Sequence, residues 1–117
     1  MLELVGQPYD ENNQHGYDCY GLVRHVVNTE LGMSLPESPP SATAWQRYVK
    51  LHRPPLPALA VYDLLMFSEI IPGLVNHVGI MCSRSDFIHC GKAFGGVVCE
   101  PIAHCYERIV VVGRPIL

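Results

Sequence analysis

Among the five cysteines and six histidines of the chain, Cys19 stands apart for where it falls. It follows a stretch dense in Gly, Asn, Asp and Pro, Gly6 to Gly16, whose residue types supply turns and predict a polar loop. It also opens a segment in which Cys19, Leu22, Val23, Val26, Val27 and Glu30 recur at steps of three and four, one face of a helix. Asp18 is suited to the N-cap and Gly32 to the stop, so the helix is expected to begin at about Cys19. A thiol there meets unsatisfied N–H groups and the positive end of the helix dipole, both of which favour the thiolate. Cys19 is therefore the candidate nucleophile and the thiol expected to react first. Cys82, Cys90, Cys99 and Cys105 lie within or beside apolar β-type runs and are expected to be buried, inert thiols.

A thiol nucleophile needs a base, and His77 is placed to be one. In Asn76-His77-Val78-Gly79-Ile80 the alternation puts Val78 and Ile80 toward a core and His77 and Gly79 on the opposite face. Phe87 and His89 share a face in the same way in Phe87-Ile88-His89-Cys90. The two runs are close enough for a hairpin. A loop of Cys82, Ser83 and Arg84 would oppose Gly79 to Phe87 and His77 to His89, whereas a two-residue loop would put the histidines on opposite faces. With the first loop, one imidazole can orient the other, giving the nucleophile, base and orienter of a cysteine hydrolase. Two unrelated histidines are the alternative that spacing leaves open.

His15, His25, His52 and His104 are expected to be without a functional role. His89, Cys90, Cys99, His104 and Cys105 are metal-ligand types, but no C-x-x-C pair or closed tetrahedral spacing groups them. No metal is expected.

The elements that must hold these residues follow from the rest of the pattern. Leu35 to Pro40 carries Pro36, Pro39 and Pro40 and must be a connector. Ser41 then caps an expected second helix through Leu51, on which Ala44, Trp45, Tyr48 and Leu51 share a face, and Arg53 to Pro57 closes it. Beyond it, Leu64 to Phe67, Val75 to Cys82, Phe87 to Cys90, Val97 to Glu100 and Arg108 to Val112 are short branched-rich runs separated by turn residues. Helices first and a meander of strands second predict an α+β fold: the Cys19 helix packed on an antiparallel sheet of about five strands. With 117 residues, the chain has room for one domain, residues 1–117, and one core.

Composition narrows the partners. A formal charge of −3 and no Lys/Arg run exclude a phosphate-backbone reader, so no nucleic acid is expected. The most apolar stretch, Leu56 to Met81, is interrupted by Asp63, Glu69 and His77, which excludes a membrane span. The first residues show no secretory signal. An odd number of irregularly spaced cysteines suits a reducing compartment better than a disulfide frame.

Taken together, these segments resemble the NlpC/P60 family of papain-like cysteine peptidases, and within it the phage tail-assembly branch. Gly6-Gln7-Pro8-Tyr9 is similar to the family's G-x-P-Y entry loop, and Gly16 to Val23 to its G-x-D-C-x-G-L-V nucleophile motif. Leu31 to Pro36 resembles the segment after its first helix, and Asp63 to Phe67 its G-D-L-x-x-F strand. Asn76 to Ile80, followed by His89, is similar to its H-V-G-I…I-H signature.

The resemblance implies Cys19 as nucleophile, His77 as general base and His89 as orienting third residue. It implies Tyr9 beside the Cys19 backbone N–H at the oxyanion, with Asp18 and Tyr20 among the residues meeting substrate. It implies hydrolysis of γ-D-glutamyl bonds to a diamino acid in peptidoglycan stem peptides, without cofactor. Tyr20 stands where most cell-wall members have Ser, and Tyr62 where most have Gly before the strand Asp; the Tyr after the cysteine is closer to the tail branch. That branch implies other tail proteins as partners, and a location in the cytoplasm during synthesis or on the virion. A non-catalytic tail module that keeps the fold is the competing expectation.

Overall fold

A computed structural model describes residues 1–68 and 75–117. Glu69, one of the residues expected to interrupt the apolar stretch, lies outside them. Helix α1 (Cys19–Glu30) begins where its cap requires: the Gly21 N–H donates to the Asp18 carboxylate at 2.6 Å. Gly32 beyond its end has φ +67°, a left-handed value that glycine adopts without strain. The face through Leu22, Val23, Val26 and Val27 is fully buried, and each such side chain contributes about 1.5–3 kcal/mol by leaving water.

That face packs on a sheet which, among the described residues, has six strands: β1 (Val49–His52), β2 (Leu64–Phe67), β3 (His77–Met81), β4 (Asp86–Gly91), β5 (Gly96–Pro101) and β6 (Ile109–Pro115). Their order is β1-β6-β2-β3-β4-β5 and every neighbouring pair is antiparallel. The pleat divides the core. Val78, Ile80, Ile88, Cys90 and Val97 meet α1 on one face, and Leu65, Phe67, Met81, Phe87 and Val112 pack together on the other. The fold is the expected α+β arrangement of one helix on an antiparallel sheet, with one strand more than the sequence suggested.

The additional strand lies within the segment expected to be a second helix. Ser41 does accept the Ala44 N–H through its hydroxyl, at 3.3 Å, but the turn it opens is a short 3-10 segment, Ala44–Arg47. From Val49 the chain extends and pairs with β6, Val49 opposite Pro115 and His52 opposite Val112. The edge donors of β6 are satisfied by this pairing, a long-range gain that local helical periodicity does not contain.

The β3–β4 register also differs from the expected one. Ile80 pairs with Ile88 and Met81 with Phe87, and Cys82 N–H donates to Asp86 O at 3.0 Å. The loop is therefore Ser83 to Ser85, held by the Ser83 hydroxyl, which accepts from Ser85 N–H and Asp86 N–H at 3.2 and 2.9 Å. Continuing this register sets Gly79, not His77, opposite His89. The loop is still three residues long, so both histidines keep the same face.

Candidate functional site

Cys19 is the first residue of α1, and the polar loop before it is tied down. The Asp10 carboxylate accepts the N–H groups of Asn12, Gln14 and His15, and the Asn13 carboxamide oxygen accepts the Asp18 N–H at 3.0 Å. Gly21 is required for this approach: a Cβ on it would lie 1.8 Å from Asn13 Oδ1. Asp18 is thus spent on the cap, which fixes where the helix starts and so where the sulfur stands.

The sulfur sits against the start of β3. Cys19, Asn76, His77 and Val78 line one cavity of about 230 Å³. Tyr20, Trp45 and Met66 form its apolar wall. An apolar groove of about 430 Å³ adjoins it, sharing Pro39, Trp45, Met66 and Val75 as walls. A larger polar cavity of about 570 Å³ lies against α1, lined by residues such as Asn12, Arg24 and Glu37, and Cys19, His77 and His89 do not line it.

Burial pushes the Cys19 thiol above its ordinary value, and Asp18 pushes in the same direction. The N–H groups of Val78, Tyr20 and Cys19 itself pull it down but do not outweigh the burial. The helix end therefore contributes as the sequence suggested, yet burial outweighs it and the thiol lies above its ordinary value.

Two imidazoles stand together where the alternation placed them. His77 Nε2 lies 2.8 Å from His89 Nδ1, with the rings edge to face. They meet diagonally across β3 and β4. His89 is 3% exposed and lies between the Phe87 ring at 4.6 Å and the Phe94 ring at 4.7 Å. Its other nitrogen, Nε2, is 2.5 Å from Glu100 Oε2 on β5. His77 Nε2 is thus engaged by His89, which fixes the plane of the His77 ring at the cavity.

Tyr9 is half-buried beside the same core, and burial, Glu11, Asp18 and Cys19 together raise its phenol. Tyr20 is buried, with its hydroxyl donating to Pro36 O at 2.6 Å and its ring edge-on to Trp45. Burial raises that phenol to about 12, so Tyr20 offers the cavity an apolar ring and no proton.

The other thiols divide. Cys90 and Cys105 are buried as expected, and burial raises Cys90 to about 11. Cys82 is half-buried, but Cys99 is exposed, because β5 is an edge strand whose outer half extends past the core. Of the histidines expected to lack a role, His52 keeps a buried Nε2 with no partner. Among the described residues no group of three or more His, Cys, Asp or Glu could hold a metal, and no helix is long and apolar enough to cross a membrane.

Glu100, Phe94, Trp45 and Met66 were not singled out by the sequence. Glu100 had a signal: β5 pairs Phe87 with Glu100 and His89 with Val98, so a β4–β5 hairpin across the Gly95-Gly96 turn puts Glu100 on the histidine face.

The model of the NlpC/P60 family matches residues 6–114. The chain belongs to the NlpC/P60 family. Its fold is similar to that of the NlpC/p60 domain of the peptidoglycan hydrolase SagA, at TM-score 0.70 and 18% identity over 96% of this chain and 90% of that one. It is also similar to an NLP/P60-family protein of Staphylococcus aureus described as similar to lipoprotein. That match has TM-score 0.69 and 22% identity, over 99% of this chain and 39% of the other. At these identities the solved structures establish the shared fold. No curated protein matches the chain in sequence. Among NlpC/P60 features, Tyr62 is informative: it has φ +74°, the left-handed region that glycine adopts freely, and its hydroxyl donates to Glu30 Oε1 at 2.8 Å.

Proposed function

We propose that this NlpC/P60 chain is a cysteine endopeptidase acting on peptidoglycan stem peptides, at a bond of the γ-D-glutamyl-diamino acid type. The observation that carries the reading is the opening of Cys19, at a helix N-terminus, into the same cavity as His77, whose ring is held by His89. The peptidoglycan hydrolase domain with the same fold supports the substrate class.

In this reading Cys19 Sγ attacks the scissile carbonyl as His77 takes the thiol proton. The carbonyl oxygen becomes an oxyanion that accepts the Cys19 backbone N–H, with the Tyr9 hydroxyl as a second donor. His77 returns the proton to the leaving amine, the C–N bond breaks, and a thioester remains on Cys19. Water, deprotonated by His77, then attacks the thioester; the carboxylic acid leaves and the thiol is restored. A raised thiol pKa suits this order, since the proton moves when substrate arrives. The cavity wall of Tyr20, Trp45 and Met66 meets the substrate through apolar contacts. Tyr20, which stands where most cell-wall members have Ser, supports action in phage tail assembly or wall penetration alongside other tail proteins.

Digestion of purified peptidoglycan, followed by mass spectrometry of the soluble products, tests the reading. Stem-peptide fragments ending at D-glutamate are expected from the wild type and absent with Cys19→Ala. No release from walls of several chemotypes would overturn the activity and favour a non-catalytic tail module.

A further inference from the structure

His89 is bonded on both sides, and the acceptor on its far side settles which proton sits where. A carboxylate can only accept, so the nitrogen facing Glu100 must carry hydrogen: His89 Nε2–H donates to Glu100 Oε2. In neutral His89 the other nitrogen, Nδ1, then holds the lone pair and accepts from His77 Nε2–H. That leaves the lone pair of His77 on Nδ1, the nitrogen required to receive the Cys19 proton.

We propose that Glu100 is a positioning residue that fixes the tautomers of His89 and His77, so that the site is a directed series of four side chains: Cys19, His77, His89 and Glu100. The inference rests on the proposed peptidase reading for its consequence in turnover, but not for the tautomers themselves. When His77 takes the thiol proton its ring becomes positive, and His89 passes the stabilising influence of the carboxylate to it without moving a proton.

The surroundings of His89 are built to keep this geometry. Phe87 and Phe94 cover the ring on two sides. Phe94 can lie there because position 91 has no side chain; a Cβ on Gly91 would come within 2.7 Å of the Phe94 ring. The Glu100 side chain itself is 38% exposed. An ion pair with one partner so exposed adds little to stability, so the pairing is better explained by what it does to His89. Among the described residues, Glu100 from β5 bonds the His89 ring and Cys19 from α1 lines one cavity with His77.

The test uses the full chain with ¹⁵N-labelled histidine, as wild type, Glu100→Gln and Glu100→Ala. Two-dimensional ¹H–¹⁵N spectra above the histidine titration report which ring nitrogen carries hydrogen. Wild type is expected to show both His77 and His89 as Nε2–H tautomers. Glu100→Ala is expected to give mixed tautomers at His89 and a fall in kcat of roughly tenfold to a hundredfold with KM little changed. Glu100→Gln, whose carbonyl can still accept, is expected to keep the tautomer and recover part of kcat. Wild-type His89 with hydrogen on Nδ1, or unchanged tautomers and kcat in Glu100→Ala, would overturn the proposal. A wild type that cleaves nothing would refute the peptidase reading, while the spectra would still decide the role of Glu100.

Discussion

Gly79 faces His89 so closely that a Cβ on it would lie 3.2 Å from the His89 Cβ and 3.0 Å from the Phe87 ring. This close approach is what the diagonal meeting of the histidines depends on. His77 reaches across the β3–β4 pair to a partner two positions further along, over a residue that has no side chain. The prediction is that Gly79→Ala displaces His89 and lowers kcat by at least tenfold, a cost of about 1.4 kcal/mol or more in the barrier. Thermal unfolding should show the chain still folded. Unchanged kcat would mean that the ring pair tolerates the shift.

Tyr62 shows the opposite case, a bulky residue in a conformation suited to glycine. At φ +74° a Cβ costs about 1–2 kcal/mol, and the exposed bond to Glu30 is what the side chain offers in return. Tyr62→Gly is expected to be more stable than Tyr62→Ala by about 1 kcal/mol, because both lose the bond to Glu30 but only alanine keeps the strain at positive φ. Chemical denaturation of the two variants measures it directly. Equal midpoints would refute the strain.

Thiol labelling should separate accessibility from catalytic role. Cys99 is exposed, whereas the Cys19 thiol is half-buried and raised above its ordinary value by that burial. Brief treatment with iodoacetamide at neutral pH is expected to modify Cys99 ahead of Cys19, the reverse of the order expected from the helix N-terminus alone, because Cys99 is exposed and burial raises Cys19. Because the Cys19 pKa is raised, its own labelling rate should climb with pH through a midpoint above the ordinary thiol value of about 8.5. Peptide mapping over a pH series checks both statements, and rapid labelling of Cys19 at pH 7 would contradict them.

How much of this was legible in the sequence depends on the range of the interaction concerned. The start of α1 was readable because Asp18, Cys19 and the apolar steps after them act within one or two turns. The shared face of His77 and His89 was readable because strand parity survives a change of register by two. The register itself was not, since it turns on which side chain closes the loop, and the Ser83 hydroxyl moves the loop one residue onward. Strand β1 was hidden for a different reason: Val49 to His52 becomes a strand by pairing with β6, far along the chain. The raised Cys19 thiol was hidden as well, because burial under β3 is a tertiary effect that opposes the local pull of the helix end.

Removing either reacting group should cost nearly everything. Cys19→Ala and His77→Ala are each expected to abolish turnover on stem peptides to near background, with the double variant little worse than either alone, since nucleophile and base act as one unit. His89→Ala should retain a measurable fraction, because in the proposed mechanism His89 orients the base and takes no proton from substrate. Rates on a synthetic stem peptide give the comparison, and multiplicative losses in the double variant would show that the two act separately.

The proposed reaction passes through a covalent thioester on Cys19. Rapid acid quenching of the wild type during turnover of a stem peptide, followed by intact-mass and peptide mass spectrometry, tests it most directly. An adduct with the mass of the acyl half of the substrate is expected on the peptide that contains Cys19, and is expected to be absent from Cys19→Ala. Turnover by Cys19→Ala, or an adduct carried by another residue, would contradict it.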